Sequence, residues 1–150
     1  MTIMTEGSQE PGLAVLLFIA NRALEQRATD AVAAAGYTDI TLAQARIAAR
    51  IGPHGTRVSD LAAQARVTKQ SAAFLVEQLE TAGYVERVPD PSDGRARLVR
   101  LTERSSGMAQ AANAEVDRVL AEWADHVGAD RLQLVHDVLR DLREITDPWR

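Results

Sequence analysis

The stretch that decides the fold runs from Val58 to Gly83 and reads VSDLAAQARVTKQSAAFLVEQLETAG. Ser59 is a favourable N-cap for a short helix that ends at Ala65. Thr68 is a favourable N-cap for a longer helix that stops at the glycine. Only two residues separate these helices, and two short helices joined by so brief a turn are typical of a helix-turn-helix motif.

The second helix of the pair has one apolar face and one exposed face. Exposed residues in the first turn of such a helix are the ones that enter the major groove of DNA. Gln70 can pair with adenine through two hydrogen bonds, Lys69 can reach guanine or phosphate, and Ser71 can donate to either. The same pattern also fits an amphipathic helix with a short polar first turn. Four residues at helical spacing are predicted to face the core: Ala72, Leu75, Val76 and Leu79.

The chain changes its period after the glycine. Residues 84–88 and 97–101 are apolar or β-branched with interspersed arginines, which is typical of strands. Residues 89–94, PDPSDG, have the composition of a turn. The sequence therefore predicts a β-hairpin that follows three helices, the order of elements in a winged helix.

Two arginines lie at the predicted tip of the hairpin. Arg95 and Arg97 on a projecting arm can enter a minor groove, where a narrow groove concentrates negative potential. Asp93 lies two residues before the first arginine and can fix its side chain through a charge-assisted hydrogen bond. The alternative is a solvated loop in which the aspartate and the arginine form a surface ion pair of little worth.

Helices are also predicted on both sides of this region. Their approximate bounds are 11–36, 42–51 and 102–127, and a last helix is capped by Asp130 with Gln133 in capping-box spacing. The terminal helices carry apolar stripes that a small winged helix cannot cover: Leu13, Leu16, Leu17 and Leu24 in the first, and Leu132, Val135, Leu139, Leu142 and Ile145 in the last.

These stripes predict a homodimer in which two copies cover each other symmetrically. An intramolecular helical hairpin is the alternative. The fold class expected is mostly α with a small β-hairpin wing, in a single domain over 1–150. A DNA-binding lobe occupies about 39–104, and dimerisation helices occupy about 11–36 and 103–147.

The net charge of −4 is unevenly distributed. Residues 39–104 contain ten Lys and Arg and eight Asp and Glu, a net of +2, so the rest of the chain carries −6. A basic centre with acidic ends suits a central contact with DNA. Charge alone fits equally well with ordinary solvated helices.

Several function classes are disfavoured by composition. The chain has no cysteine, which excludes disulfides and thiolate zinc sites. His54, His126 and His136 lack a metal-ligand spacing. No nucleophile–base pattern or glycine-rich phosphate loop is present, so we expect neither an enzyme nor a cofactor. No apolar run spans a bilayer and residues 1–10 do not form a secretory signal, so a cytoplasmic protein without membrane contact is expected.

Five central segments carry a family resemblance: Arg57–Ala62, Val67–Ser71, Leu79–Arg87, Asp90–Ala96 and Leu101–Thr102. Together they resemble the MarR (multiple antibiotic resistance regulator) family of winged-helix transcriptional regulators over about residues 41–104. The resemblance implies a homodimer on a palindromic operator in double-stranded DNA, usually a repressor that a small aromatic or lipophilic effector releases.

The resemblance also extends to individual positions. Ser59, Lys69, Gln70 and Ser71 match DNA-contacting positions of the family, Arg95 matches its wing arginine, and Asp93 matches the acid that supports that arginine. The full set of DNA-contacting residues expected here is Ser59, Thr68, Lys69, Gln70, Ser71, Phe74, Arg95 and Arg97.

The chain departs from the family in its recognition helix. Relatives often carry an arginine where this chain has Phe74, and a basic residue where it has Gln78. Two interpretations of the phenylalanine are open: contact with a thymine methyl group, or filling of the gap between the helix and a neighbouring turn. We favour the second at this stage, and expect DNA shape and Gln70 to carry specificity.

Other questions stay open in the sequence. Trp123, His54 and Arg22 are candidates to line an effector space between the dimer helices and the lobe, but nothing singles them out. Repressor or activator action is undecided. The rival functions are a winged helix that contacts only protein, and an enzyme or transport protein that uses a cavity in the dimer.

Overall fold

The computed structural model describes residues 10–149. The expectation about a secretory signal in residues 1–10 therefore lies almost entirely outside the described residues. Within them, six helices and two strands follow one another in the predicted order: α1 Leu13–Ala34, α2 Leu42–Ala48, α3 Val58–Ala65, α4 Lys69–Thr81, β1 Val85–Asp90, β2 Asp93–Leu101, α5 Glu103–Val127 and α6 Ala129–Thr146. The predicted fold class, mostly α with a winged helix-turn-helix at its centre, is confirmed.

The helix-turn-helix forms as expected, with one correction at its first cap. Helix α3 begins two residues earlier than predicted, so Arg57 rather than Ser59 is its N-cap, and no side chain caps it. Arg66 then turns the chain through a left-handed conformation with φ of 54°. Thr68 caps α4, because its Oγ1 accepts a hydrogen bond from the Ser71 amide at 3.0 Å.

The core lies beneath α4. Three of the four residues predicted to face it, Ala72, Val76 and Leu79, are fully buried, and Leu75 packs against the same cluster. Tyr84, just after α4, is also fully buried. The predicted core face of the recognition helix is therefore confirmed, and its opposite face is left to solvent.

The hairpin is longer than predicted. Strands β1 and β2 are antiparallel, with Val85 opposite Leu101 and Pro89 opposite Arg97, and the register shifts after the proline. This irregularity, together with the Asp90 carboxylate, which accepts the Ser92 amide at 2.8 Å, shortens the turn. The turn predicted over residues 89–94 is therefore mostly strand, and only residues 91 and 92 connect the two strands.

The last helix differs from the prediction at its start. Gly128, with φ of 97°, is the N-cap of α6, and no side chain caps the helix. Asp130 lies inside the first turn, and the Gln133 amide donates to Asp137 at 3.0 Å. The predicted cap and capping box are therefore wrong, because the glycine lets the chain turn sharply between α5 and α6.

The terminal helices leave their apolar stripes uncovered within the chain. Helix α1 packs along α5, where Arg27 contacts Glu115 at 2.6 Å and Glu122 at 3.0 Å. Helix α6 has no buried residue. The alternative of an intramolecular hairpin that hides both stripes is therefore wrong. The exposed apolar residues of these two helices include Leu13, Leu16, Leu17, Phe18, Ile19, Leu134, Val135, Val138, Leu139, Leu142 and Ile145.

Membrane-spanning helices and metal-binding clusters are both absent from residues 10–149. None of the helices in this part of the chain combines the length and apolar character needed to cross a membrane. No group of three or more His, Asp or Glu side chains is arranged there to hold a metal ion.

Candidate nucleic-acid interface

All eight side chains predicted to contact DNA are exposed. They occupy the starts of α3 and α4, the next turn of α4, and the outer part of β2. Ser59 lies on α3, and the other seven lie on the two projecting elements, the recognition helix with its N-cap and the hairpin. Exposure of this kind is what a DNA contact requires, and the roles of the individual residues stay predictions.

The first turn of α4 uses one of its hydroxyl groups internally. Thr68 Oγ1 donates to Ser71 Oγ at 2.8 Å and also accepts from the Ser71 amide. The threonine hydroxyl is therefore already occupied as a cap. The serine hydroxyl keeps its own proton and can donate outward, beside Lys69 and Gln70.

Phe74 is exposed on the next turn of the same helix. Its side chain has a relative exposure of 59%, although it is large and apolar. The interpretation that it fills a gap is wrong, because Ala72, Val76 and Leu79 fill the interface with the core and Phe74 lies on the other side of α4.

The wing arginines are free of acidic partners among the described residues. Arg95 and Arg97 lie exposed on β2. Asp93 Oδ1 accepts a hydrogen bond from the main-chain amide of Arg95 at 3.1 Å, so the expected bond to the guanidinium is not formed. The aspartate shapes the backbone of the wing and leaves the arginine side chain free to reach outward.

The base of the wing is fixed by an ion pair that sequence reasoning missed. Arg57 Nε and Nη2 donate to Asp90 Oδ2 at 2.9 and 2.7 Å, and the other carboxylate oxygen accepts from the amide and hydroxyl of Ser92. Asp90 is only 7% exposed. The bonds from Ser92, followed by those from Arg57, lower the pKa of Asp90 to about 2. This pair ties the start of α3 to the end of β1.

A second missed cluster fixes the end of the recognition helix. Tyr84 Oη donates to Asp39 Oδ1 at 2.5 Å, and Arg104 Nη2 donates to both oxygens of the same carboxylate at 2.9 Å. The arginine also lies 4.3 Å from the centre of the tyrosine ring. Burial, followed by the bond to Asp39, raises the pKa of Tyr84 to about 12. The cluster joins α5 to the turn after α4.

The charges of residues 39–104 divide into paired and unpaired cations. Five arginines in this region form ion pairs with carboxylates: Arg46, Arg57, Arg87, Arg100 and Arg104. The other five cations have no acidic partner within the described residues: Arg50, Arg66, Lys69, Arg95 and Arg97. Four of these five lie on the helix-turn-helix and the wing. The positive charge available to a partner is therefore concentrated on the two projecting elements.

A cavity of about 710 Å³ lies between α1, α2 and α5. Trp123, His54 and Arg22, the candidates named from the sequence to line an effector space, do not line this cavity. Of the two arginines on its wall, Arg46 is paired with Glu25 at 2.8 Å. Arg50 donates to a main-chain carbonyl and has no acidic partner among the residues that the structure describes. Most of the wall is apolar, including Leu24, Val32, Tyr37, Ile40, Met108 and Val116.

Three helices followed by a hairpin, with free cations on the second helix of the pair and on the hairpin, define a winged helix-turn-helix of the DNA-binding class. The sequence model described as MarR family matches residues 38–96. The HTH-type transcriptional regulator FarR of Neisseria gonorrhoeae is 30% identical over 110 residues, which cover 73% of this chain and 75% of that protein. This chain belongs to the MarR family of transcriptional regulators.

Two other proteins are similar over different lengths. An HTH-type transcriptional regulator of Bacillus subtilis (strain 168), YdgJ, is 34% identical over 92 residues. That match covers 60% of this chain and little more than half, 56%, of the relative. The crystal structure of NadR in complex with 4-hydroxyphenylacetate has a TM-score of 0.68 and 26% identity, and the match covers 95% of this chain and 99% of NadR.

Proposed function

We propose that this chain is a cytoplasmic repressor that binds a palindromic operator as a homodimer and is released by a small lipophilic or aromatic effector. The observation that carries the proposal is the set of unpaired cations on the two projecting elements. Lys69 stands at the start of the recognition helix, Arg66 in the turn before it, and Arg95 and Arg97 on the wing. No carboxylate among the described residues neutralises them.

Charge of this kind is matched by the phosphate backbone of a duplex. Phosphates bound by Lys and Arg release counterions, so affinity falls steeply with salt. Other surface arginines of this lobe are paired. Arg100, for example, forms an ion pair with the carboxylate of Glu86 at 2.6 Å. The free cations therefore favour DNA as the partner over a protein surface of average charge.

Selection from a random-sequence duplex library with the purified protein tests DNA binding and yields the operator. We expect an inverted repeat whose half-sites lie about 34–36 Å apart, one helical turn. The logarithm of the affinity for the selected duplex should fall linearly with the logarithm of the salt concentration, with a slope that corresponds to several neutralised phosphates. Recovery of no preferred sequence, or binding that does not respond to salt, would favour the rival function of a protein-contact module.

The uncovered faces of α1 and α6 support the homodimer. Leu13 at one end and Ile145 at the other are 73% and 84% exposed. Contiguous apolar surface of this kind marks an interface, and a second copy offers the same faces in a symmetric arrangement. Light scattering should give the mass of two chains, and a monomer at micromolar concentration would contradict the proposal.

The cavity between α1, α2 and α5 supports the response to an effector. Its volume fits a small molecule, its wall is largely apolar, and Arg50 offers a cation for a carboxylate. NadR, which is 26% identical, has been crystallised with 4-hydroxyphenylacetate, a compound of that chemistry. The cavity touches both the dimerisation helix α1 and helix α2 of the lobe, so a bound molecule can alter how the two are joined.

A cavity-filling variant tests the effector site. We expect 4-hydroxyphenylacetate and related aromatic acids to weaken operator binding by the wild-type protein. Ala45→Phe fills part of the cavity and should abolish this response. Ala43→Phe adds the same bulk at an exposed position of α2 that does not line the cavity, and should keep the response. Equal responses of both variants would place the effector elsewhere.

Transcription from a reporter with the selected operator between promoter and start site tests the direction of regulation. A repressor lowers transcription when the protein is present and restores it when an effective aromatic acid is added. Higher transcription in the presence of the protein alone would identify an activator instead.

A further inference from the structure

We infer that Phe74 contacts the C5-methyl group of a thymine in each operator half-site and is a specificity-determining residue of the recognition helix. This inference rests on the proposed binding of DNA. It assigns a base and a chemical group to one side chain, which the fold and the family do not do.

The exposure of Phe74 is the first observation. Its ring is 59% exposed in the middle of α4, on the side of the helix that lies opposite the buried residues Ala72, Val76 and Leu79. More than half of its surface is therefore open to solvent. A ring of this size gains free energy when it leaves water, so the surface that binds this face of α4 must offer an apolar group.

The neighbours of Phe74 identify that surface. Gln70 lies one turn earlier on the same face, and Lys69 and Ser71 flank it. Arg66 lies in the turn before α4 and Lys69 in its first turn, and neither has an acidic partner among the described residues, so the start of this face suits a polyanion. Arg95 and Arg97 lie on the wing of the same lobe. Duplex DNA combines these two properties. Its backbone is a polyanion, and thymine presents an apolar methyl group in the major groove.

The spacing along the helix gives the position of the thymine. Four residues of α-helix rise by about 6 Å, and successive bases of one strand are about 3.4 Å apart. Phe74 and Gln70 therefore reach bases about two steps apart. We expect each half-site to contain a thymine, read by the phenylalanine, about two base pairs from an adenine read by the glutamine.

Replacement of thymine by deoxyuridine removes the methyl group and keeps every hydrogen-bonding group of the base. The probe is the duplex selected by the wild-type protein, synthesised with deoxyuridine at one thymine of each half-site at a time. At one position the wild-type affinity should fall about fourfold per half-site, or about 16-fold for the symmetric substitution, as expected for loss of one buried methyl group. The other positions should change little.

Three variants show whether the effect passes through the ring. Phe74→Ala should bind the thymine and deoxyuridine duplexes equally at that position. Phe74→Leu keeps an apolar side chain of similar reach and should retain most of the penalty. Gln70→Ala should bind more weakly but keep the full penalty, because the glutamine reads a different base.

The outcomes separate this inference from the proposed function. If no duplex is selected, DNA binding fails and the thymine contact fails with it. If a duplex is selected but deoxyuridine costs nothing at any position, or costs the same in Phe74→Ala as in the wild type, DNA binding stands and the thymine contact is overturned.

Discussion

Two regions of the molecule expose different kinds of surface. The first is the lobe formed by α2 to β2, and the second consists of the flanking helices α1 and α6. The lobe has a core of fully buried apolar residues, which includes Leu61, Val76 and Leu79, and it exposes unpaired cations. Helix α6 buries nothing, and both flanking helices expose leucines and isoleucines. The charge follows the same division, since residues 39–104 carry a net +2 and the remainder −6.

This contrast indicates two kinds of partner. The lobe has a complete core and unpaired positive charge, which favours binding of a polyanion. The flanking helices expose apolar faces, which favours packing against other apolar helices. Each of the following predictions tests one side of the comparison, and they are ordered from the largest expected effect to the smallest.

Disruption of the exposed apolar face of α6 should cause the largest loss of operator affinity. Leu139 is 45% exposed on α6, and Leu139→Asp places a charge in the proposed dimer interface. We expect a monomer whose operator affinity falls about 100-fold or more, because the two half-sites are no longer bound together. Light scattering and gel shift measure the two effects. Glu144→Ala, on the polar side of α6, should leave both unchanged, and a dimeric Leu139→Asp protein would place the interface elsewhere.

Truncation of a leucine should affect the two regions differently. Leu79 is fully buried in the lobe, so Leu79→Ala should lower the free energy of unfolding by about 2–5 kcal/mol at every protein concentration. Leu139→Ala should act through the dimer, so its effect on the urea midpoint should depend on protein concentration. Concentration-independent losses in both variants would mean that α6 is stabilised within one chain.

The charged side can be tested with two arginines of one strand. Arg95 has no acidic partner in residues 10–149, whereas Arg100 is paired with Glu86. Arg95→Ala should weaken binding nearly equally for all DNA sequences and reduce the salt dependence by about one ion per subunit. Arg100→Ala should change the slope much less. Equal slopes for wild type and Arg95→Ala would remove the wing from the interface.

The attachment of the wing should give the smallest effect, visible at acid pH. The pKa of Asp90 is lowered to about 2 in the folded protein, against about 3.9 in an unfolded chain. Its contribution to stability is therefore complete above about pH 4 and is lost as the pH falls towards 2. Urea unfolding between pH 5 and 2 should show a shallower decline for Asp90→Asn than for the wild type. Asp125→Asn changes an exposed carboxylate far from the wing, on α5, and is the control.

The helices and the buried face of α4 could be predicted because their signals are local. Apolar spacing in α4 determined which side faces the core, and Thr68 capped it as its residue type suggested. The caps at Ser59 and Asp130 were wrong, since neighbouring backbone conformation, at Arg57 and Gly128, decided where those helices begin. Neither wing support nor the exposure of Phe74 could be judged from spacing alone.

The sequence by itself determined the order of elements, the helix-turn-helix and the uneven distribution of charge, because periodicity, turn residues and composition act over a few positions. Only the tertiary structure decided which charges are free. Arg57 and Arg95 are chemically alike in the sequence, yet a carboxylate 33 positions away pairs with the first, and no carboxylate in the described part of the chain pairs with the second. The partner of a long charged side chain depends on which distant segments pack beside it, and no local pattern records that.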